Sequence, residues 1–316
     1  MSDRLKIFAG NSNRPLALEI CKHIGVKLGN TTIHKFSNEN IKVKIMENVR
    51  GADAFVIQTA SPPVNEHLVE LLIMIDALKY ASAGRITVLL PYYFYARSDK
   101  KDEPRISITS RLVADLLETA GANRILTMNL HTPQIMGFSR IPVDQLSSVD
   151  IICDYFKQKE DLTNFVAVAP DIGRVKTTKA FAKSLKIPMA ILEKTRERDD
   201  EKAIIRNIIG NVEGKNILLL DDEVLTGNSI INGAEALRKR KAKRILAGCI
   251  HGVLANTAIR DIENSFLEEL VITNTLYLSS EVKRSKIRVL SVGKLFGEAI
   301  QAIHEGKSVS KLFKIE

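Results

Sequence analysis

The 316-residue sequence has no tryptophan, and aromatic residues make up only 5% of it. Proteins that bind single-stranded nucleic acid stack bases on aromatic side chains inside basic grooves. The scarcity of aromatics argues against that class, although the net charge is +9. The one dense basic run, Arg238–Lys243 followed by Arg244, is typical of a solvated helix end. The remaining excess positive charge suits an enzyme that attracts anionic phosphates.

Cysteine and long apolar runs are also scarce. Cys21, Cys153 and Cys249 are odd in number and far apart, which matches neither a disulfide framework nor a metal motif. Such usage fits a reduced, cytoplasmic compartment. The first residues lack the apolar stretch of a signal peptide, and no apolar run approaches the ~20 residues that cross a bilayer. We therefore expect a cytoplasmic protein with no membrane or nucleic-acid partner.

Short apolar runs alternate with segments of helical periodicity along the whole chain. Continuous apolar runs are typical of strands buried on both faces of a parallel sheet. The alternation predicts an α/β fold with two domains, 1–147 and 148–294, each a mainly parallel sheet flanked by helices. The predicted strands are Ala54–Thr59, Ile86–Pro91, Arg124–Asn129, Phe165–Ala169, Met189–Leu192, Asn216–Leu220 and Ile245–His251.

Two amphipathic helices are predicted in the first half of the chain. Asn65 is the predicted cap of a helix that continues through Ala83. A second helix is predicted from Thr109 to Ala120, with Gly121 as the residue that ends it. The residues predicted to face inward are Leu68, Leu71, Leu72, Ile75 and Leu78 in the first helix, and Leu112, Val113, Leu116 and Leu117 in the second.

The strongest chemical pattern is Leu218–Ile230, which reads LLLDDEVLTGNSI. A buried strand is predicted to end at Asp221 and Asp222, and a short loop then leads into a helix that starts at about Ile230. Loop amides and a helix N-terminus form an anion site, and Gly227 and Asn228 tolerate the positive φ that such a loop uses. The acidic pair suits sugar hydroxyls or Mg²⁺. An acidic strand end before an ordinary capped helix explains the same pattern.

Three further segments combine polar groups with a preceding strand. Pro91–Arg105 is rich in tyrosine, lysine and arginine, so it suits a purine and its phosphates or, alternatively, a charged surface loop. His131 and Asp171 each follow an apolar strand, where open α/β sheets bind ligands, and could together hold a metal or its waters. Glu193–Lys202 is too polar for the core and is either a solvated loop or a mobile lid.

Together these segments resemble the ribose-phosphate pyrophosphokinase (PRPP synthetase) family over essentially the whole chain. The resemblance rests on an ordered set of motifs rather than on one fragment. They are Phe36-Ser37-Asn38, Pro62–Leu68 running into Glu70–Met74, Pro91–Lys101, His131 with Pro133-Gln134-Ile135, and the ending Ser308–Phe313.

The resemblance implies two tandem phosphoribosyltransferase-like domains, with the segment 295–316 packing back on the first. It also implies transfer of the β,γ-diphosphoryl group of ATP to the 1-hydroxyl of ribose 5-phosphate, which gives PRPP and AMP. Mg²⁺ is the implied cofactor, inorganic phosphate an implied activator, and a dimer-based homo-oligomer, up to a hexamer, the implied assembly. The adenine site would be shared with a neighbouring subunit.

The same resemblance assigns roles to individual residues. Those implied for catalysis are Lys194 and Arg196, and those for the metal are His131 and Asp171. The residues implied for ATP are Phe36, Asn38, Asn40, Arg97, Ser98, Asp99 and His131. Those implied for ribose 5-phosphate are Asp221, Asp222, Leu225, Thr226, Gly227, Asn228 and Ser229.

The sequence departs from the family pattern at several of these places. Leu225 and Asn228 stand where Asp and Gly are usual in the sugar-phosphate loop, and Arg174 stands where Gly follows Asp171-Ile172-Gly173. The other departures are Asn40, Ser98, Asn129, Arg140 and Ala255-Asn256-Thr257. Replaced carboxylates weaken Mg²⁺ affinity or move the metal.

Two other functions therefore stay open at this stage. One is a weak or inactive paralogue that binds and regulates a true synthetase. The retained residues argue against it, namely Lys194, Arg196, His131, Asp171 and the Asp221/Asp222 pair. The other is a phosphoribosyltransferase that consumes PRPP, against which stand the ATP-side segments Phe36–Asn38 and Tyr95–Arg97.

Overall fold

The computed structural model of the protein describes residues 4–195, 204–310 and 312. Contacts among the described residues separate two compact units. Unit 1 contains the residues up to Ser147, the short stretch Thr275–Tyr277 and the segment from Ser291 onward. Unit 2 contains Ser148–Asn274 and Leu278–Leu290.

The regular elements of the described residues are as follows. The strands are β1 (Leu5–Ala9), β2 (Thr31–Lys35), β3 (Ile41–Ile45), β4 (Asp53–Ile57), β5 (Arg85–Leu90), β6 (Arg124–Met128), β7 (Val143–Leu146), β8 (Phe165–Ala169), β9 (Met189–Thr195), β10 (Ile204–Ile209), β11 (Asn216–Val224), β12 (Ile245–Gly252), β13 (Glu269–Thr273) and β14 (Ile287–Leu290). The α-helices are α1 (Arg14–Ile24), α2 (Val64–Tyr80), α3 (Thr109–Ala120), α4 (Val149–Lys159), α5 (Val175–Leu185), α6 (Asn228–Lys239), α7 (Ala258–Glu263) and α8 (Gly293–His304).

Unit 1 is built on a five-stranded parallel sheet in the order β1-β4-β5-β6-β7. Helices α2 and α3 bury one face of this sheet through residues such as Leu71, Met74 and Leu117. Helices α1 and α8 pack against each other. Strands β2 and β3 form a separate antiparallel hairpin that lies against α2.

Unit 2 is built on a seven-stranded sheet in the order β10-β9-β8-β11-β12-β13-β14. All neighbouring strands are parallel except β9 and β10. One face is covered by α4 and α5 through Phe156 and Phe181, and the other by α6 through Ala234 and Leu237. Both units are thus parallel sheets flanked by helices, which confirms the predicted fold class.

Every predicted strand is present, but two continue at least three residues further than expected. β11 runs to Val224, so Asp221 and Asp222 belong to the strand and do not follow it. β9 runs through Thr195, so Glu193 and Lys194 are strand residues and not the start of a loop. The polar ends of β11 and β9 are hydrogen-bonded to β12 and β10, respectively. Because these ends are not apolar, a search for apolar runs does not detect them.

The helix predictions are correct in position and partly wrong in detail. α3 has the predicted bounds, and Val113 and Leu117 are buried, but Leu112 and Leu116 are exposed. α2 begins at Val64 and ends at Tyr80, three residues before the predicted Ala83, and its cap, Pro63, makes no side-chain capping bond. The prediction of Asn65 as the cap is therefore wrong. Its side-chain oxygen instead accepts a hydrogen bond from the hydroxyl of Tyr95.

Three predictions made from composition concern the basic run, the cysteines and membrane-spanning segments. Arg238 and Lys239 form the last turn of α6, and Arg238 donates to the carbonyl of Ala242, which confirms a helix end for the basic run. All three cysteines are buried and free. Among the described residues, none of the helices has the length and apolar character that crossing a membrane requires.

One carboxylate links the last helix to the first sheet in addition to the apolar packing of that helix. Asp53, at the start of β4, accepts a hydrogen bond from Arg85 Nε at 2.7 Å and lies 2.8 Å from His304 Nδ1. Arg85 also donates to the carbonyl oxygen of Ile303 at 3.0 Å. Hydrogen bonds to charged groups are stronger than neutral ones, and these three connect α8 to β4 and β5.

We expect Asp53→Ala to loosen α8 because it removes the acceptor shared by Arg85 and His304. The expected loss is about 1–3 kcal/mol in the free energy of unfolding, since Arg85 is partly solvated. Urea unfolding and hydrogen exchange of the α8 amides measure it. The control is Asp144→Ala, which breaks the single ion pair with Arg124 in the same sheet. Unchanged exchange in α8 would contradict the assignment.

Candidate active site

Asp221 and Asp222 lie in the part of β11 that extends beyond its neighbour β8. β11 pairs with β8 as far as Leu219, but with β12 as far as Val224. The two carboxylates therefore stand beside the open end of β8. They remain buried nonetheless, with only 7% and 5% of Asp221 and Asp222 exposed. Two adjacent buried carboxylates need a cation, hydrogen-bond donors or a shared proton.

The predicted sugar-phosphate loop follows directly. Leu225 is exposed, and Gly227 has a φ of 81°, which confirms the predicted left-handed residue. The same expectation for Asn228 is wrong, because Asn228 is the first residue of α6. The helix thus starts two residues earlier than predicted. Its N-terminal amides and the hydroxyls of Thr226 and Ser229 are the donors that an anion requires at this position.

Arg174 contacts both carboxylates of the acidic pair. Its Nη1 donates to Asp222 Oδ2 at 2.6 Å, and its Nε lies 3.3 Å from Asp221 Oδ1. Asp221 Oδ1 also accepts a hydrogen bond from the Asp222 backbone N–H at 2.8 Å. In the sequence, Arg174 is recognised only as a departure from the family pattern, and its contact with the acidic pair is not predicted. The adjacency of β8 and β11 in a parallel sheet is the signal that could have revealed it.

The charge state of the acidic pair follows from its surroundings. Burial raises the pKa of Asp221 well above its ordinary value, and the neighbouring Asp222 carboxylate raises it further. The Arg174 guanidinium acts on this pKa in the opposite direction. The pair therefore retains a proton more readily than two exposed carboxylates would.

Lys194 joins the predicted sugar-phosphate loop to the end of β8. Its Nζ donates to Ser229 Oγ at 2.5 Å and lies 3.9 Å from Asp171 Oδ2. The structure therefore brings together one predicted catalytic residue, one residue of the sugar-phosphate loop and one predicted metal ligand. The other predicted catalytic residue, Arg196, lies outside the described residues, as does most of the predicted lid.

The predicted adenine residues share one exposed hairpin loop in unit 1. Phe36, Asn38 and Asn40 all lie between β2 and β3. The Phe36 N–H donates to the Asn40 carbonyl at 2.9 Å, and Asn38 Oδ1 accepts from the Asn40 N–H at 3.2 Å. Asn40 also lines a cavity of about 540 Å³ between this hairpin and α2. Phe36 is 44% exposed, which leaves a face of its ring available for stacking.

The remaining predicted ATP residues follow β5 and β6 in the same unit. Arg97 is exposed, and Ser98 and Asp99 are half-buried. Asp99 Oδ2 accepts a hydrogen bond from Thr132 Oγ1 at 2.6 Å, which ties this segment to the residue after His131. Ser98 accepts from the Ser110 N–H at the start of α3. Parallel strands β5 and β6 thus place Arg97–Asp99 and His131 at one edge of their sheet.

The residues present fit Mg²⁺ only as an ion that arrives with a phosphate ligand. Mg²⁺ is held through one or two carboxylates, substrate phosphates and water. Asp171 offers one such carboxylate, with its side chain 39% exposed. Among the described residues, no three His, Cys, Asp or Glu side chains are grouped to hold a metal. The predicted partner His131 belongs to unit 1 and Asp171 to unit 2, and their pairing stays a prediction.

Comparison with known proteins identifies close relatives. A family model of the N-terminal domain of ribose phosphate pyrophosphokinase matches residues 5–121, and one of the phosphoribosyl synthetase-associated domain matches residues 197–314. Ribose-phosphate pyrophosphokinase of Clostridium acetobutylicum is 50% identical over 99% of this chain and 98% of its own. That of Corynebacterium ammoniagenes is 49% identical over the same shares. The crystal structure of phosphoribosylpyrophosphate synthetase from Mycobacterium smegmatis superposes with a TM-score of 0.91 at 39% identity, covering 96% of this chain and 99% of that one.

The raised pKa of Asp221 predicts a pH-dependent effect of Asp221→Asn on stability. The folded protein binds more protons than the unfolded one between the ordinary pKa and the raised one, so folding stability falls as pH rises through that interval. Asparagine has no such proton and still accepts from the Asp222 N–H. We expect the variant to be more stable than the parent at pH 8, because the parent there loses the proton that its folded state holds more tightly than its unfolded state.

Thermal unfolding of the ligand-free protein across pH measures this difference. The advantage of Asp221→Asn should shrink as pH falls toward the ordinary pKa of 3.8. Asp154→Asn, on the exposed surface of α4, is the control and should show no such trend. An advantage that grows toward acidic pH would contradict the raised pKa.

Proposed function

We propose that this chain, which belongs to the ribose-phosphate pyrophosphokinase family, transfers the β,γ-diphosphoryl group of ATP to the 1-hydroxyl of ribose 5-phosphate, giving PRPP and AMP. The observation that carries the proposal for this chain's own residues is the position of Lys194. Its ammonium touches Ser229 of the phosphate loop and lies beside Asp171. A cation between a sugar-phosphate loop and a metal-binding carboxylate is what transfer of a charged phosphoryl group requires.

The sugar phosphate occupies the end of β11 in this proposal. Thr226, Ser229 and the first amides of α6 bind the 5-phosphate, and Asp221 and Asp222 accept hydrogen bonds from ribose hydroxyls. The helix N-terminus favours the phosphate, while the buried acidic pair would repel it. The phosphate and the hydroxyls therefore occupy opposite ends of the loop, which fixes the orientation of the sugar.

The reaction itself needs positioning and charge neutralisation more than covalent help from the protein. The 1-hydroxyl oxygen attacks the β-phosphorus. The bond from that phosphorus to the oxygen that bridges it to the α-phosphorus breaks, and AMP leaves with the electron pair. The hydroxyl proton passes to solvent. Lys194 lies where it can stabilise negative charge on the transferring group, and Arg196 is the second proposed cation for this purpose.

Mg²⁺ is the proposed cofactor, and when bound with ATP it neutralises phosphate oxygens and orients the diphosphoryl group. Asp171 is the residue of unit 2 proposed to hold it or its waters, and His131 is the residue proposed in unit 1. The contact between Asp171 and Lys194 keeps this carboxylate at the end of β8.

ATP is proposed to bind through Phe36, Asn38 and Asn40 for the base, and through Arg97, Ser98, Asp99 and His131 for the remainder. The hairpin that carries Phe36 projects an exposed aromatic ring. We propose that a neighbouring copy of the chain supplies this loop, in a dimer-based assembly that extends to a hexamer. Three free, buried cysteines and substrates such as ATP suit a cytoplasmic location.

The first kinetic prediction concerns Lys194. Lys194→Ala should lower kcat by about 100- to 1,000-fold, because a preorganised donor to transition-state charge is lost. The KM for ribose 5-phosphate should change much less, since Thr226 and the α6 amides remain. Formation of AMP and PRPP from ATP, Mg²⁺ and ribose 5-phosphate measures both constants.

Lys215→Ala is the matched control for this experiment. Lys215 precedes β11 at the opposite end of the same strand and donates to Asn164 Oδ1 at 2.9 Å. It should retain the parental kcat. If the parent itself gave no more product than Lys194→Ala, the enzymatic proposal would fail in favour of a regulatory paralogue.

The second kinetic prediction concerns the hairpin loop. Phe36→Ala should raise the KM for ATP with little change in kcat, because the ring would stack on the base and make no contact with the transferring group. Base–aromatic stacking is worth about 1–3 kcal/mol, so the expected increase is roughly 5- to 150-fold. Met46→Ala, just after the same hairpin and similarly exposed, is the control. An unchanged KM for ATP would remove Phe36 from the adenine site.

A further inference from the structure

We propose that Arg174 is a positioning residue for the sugar hydroxyls, and that its guanidinium supplies the positive charge the acidic pair would otherwise take from a divalent cation. Ribose 5-phosphate should then bind this chain without a metal ion of its own. The inference rests on the proposed function, and it assigns a role to a residue that the reaction described above does not use.

The need for a cation comes from the burial of the acidic pair. Asp221 and Asp222 are adjacent in sequence, and both are more than nine-tenths buried. Sugar hydroxyls are neutral donors, so they can satisfy carboxylate oxygens but cannot neutralise them. A site with two buried carboxylates and no positive charge would therefore either keep a proton on the pair or, with both carboxylates ionised, bind a divalent cation together with its sugar.

The guanidinium meets this need with defined geometry. Arg174 Nη1 holds Asp222 Oδ2 at 2.6 Å, while Nε lies 3.3 Å from Asp221 Oδ1. Arginine presents its donors in a rigid plane, so one side chain can fix the rotation of two carboxylates at once. With Asp221 Oδ1 also held by the Asp222 N–H, the orientation of the whole pair depends on this cluster.

The position of Arg174 in the chain makes the contact a fixed part of the site. Its backbone N–H donates to the Asp171 carbonyl at 3.2 Å in the short turn after β8, and α5 begins at the next residue. Its side chain is only 18% exposed. A side chain that leaves a hydrogen-bonded turn and points into a buried pair loses little entropy on binding substrate, which is the requirement for preorganisation.

Arg174 and Lys194 have separate contacts in this cluster. Lys194 contacts Ser229 and lies beside Asp171, whereas Arg174 contacts Asp221 and Asp222. Among these described groups, three carboxylates face two cations. Removing the guanidinium leaves three carboxylates and one ammonium, so the site should then recruit Mg²⁺ where the parent does not.

The same unit contains a second arginine held between two carboxylates, which provides a matched control. Arg244 Nη1 donates to Glu160 Oε2 at 2.6 Å, and its Nη2 to Glu268 Oε1 at 2.7 Å. It precedes β12 and thus lies at the opposite ends of the strands from the candidate site. Arg244→Ala removes a comparable ion pair without touching the sugar-binding residues.

The test is calorimetric titration of ribose 5-phosphate into the full chain without ATP, once with EDTA and once with Mg²⁺. The parent should bind with nearly the same Kd in both. Arg174→Ala should bind about 10- to 100-fold more weakly in EDTA, as expected for lost charge-assisted hydrogen bonds, and should recover most of this loss in Mg²⁺. Arg174→Lys should lie between the two, and Arg244→Ala should match the parent.

A second ligand separates positioning from a merely structural role. The parent should prefer ribose 5-phosphate over 2-deoxyribose 5-phosphate in EDTA, and Arg174→Ala should lose most of that preference while retaining affinity for the phosphate end. Should Arg174→Ala fold poorly, Arg174→Ala/Asp222→Asn removes one charge of each sign. That variant should fold and should show no recovery with Mg²⁺.

The possible outcomes distinguish this inference from the proposed function. A parent that requires Mg²⁺ for ribose 5-phosphate as strongly as Arg174→Ala does would overturn the inference alone. Equal affinities of the parent and Arg174→Ala in EDTA would do the same. A parent that binds ribose 5-phosphate under neither condition would overturn the proposed sugar site itself.

Discussion

Parallel pairing of β8, β9 and β11 is the constraint on which the candidate site depends. Because these strands run in the same direction, the side chains near their carboxyl ends collect at one edge of the sheet. Lys194 on β9, the Asp221/Asp222 pair on β11 and Asp171, just after β8, meet there. No local motif could bring these groups together, since the segments are separated by more than twenty residues along the chain.

Ion pairing then determines what this edge can bind. Arg174 neutralises part of a buried acidic pair, and Lys194 lies between Ser229 of the predicted sugar-phosphate loop and Asp171. The result is a gradient from a carboxylate-rich end, suited to hydroxyls, to a cationic end at the start of α6, suited to phosphate. A sugar phosphate carries the complementary arrangement of groups. In the proposed function, Arg174 and the acidic pair define the polar end of the site without an acidic residue at Leu225.

The sequence predicted the strands that are buried on both faces and missed elements that are only partly buried. Continuous apolar runs located β8 with its observed bounds, because both faces of that strand are covered. The hairpin strand β3 reads IKVKI, a period-two pattern of a half-solvated strand, and it was overlooked although the signal is present. The cap assigned to Asn65 is wrong because α2 already begins at Val64, and the Asn65 side chain accepts a hydrogen bond from Tyr95, thirty residues away. The contact of Arg174 with Asp221 and Asp222 likewise depends on strand order, which periodicity does not encode.

The central claim is that the chain moves two phosphoryl units together, from ATP to a sugar hydroxyl. Phosphorus NMR of the protein with ATP, Mg²⁺ and ribose 5-phosphate tests it most directly, because each product has its own resonances. The account predicts AMP and a sugar diphosphate whose two phosphorus resonances split each other, in equal amounts and without ADP. ADP together with a sugar bisphosphate would show transfer of a single phosphoryl group and would contradict the account.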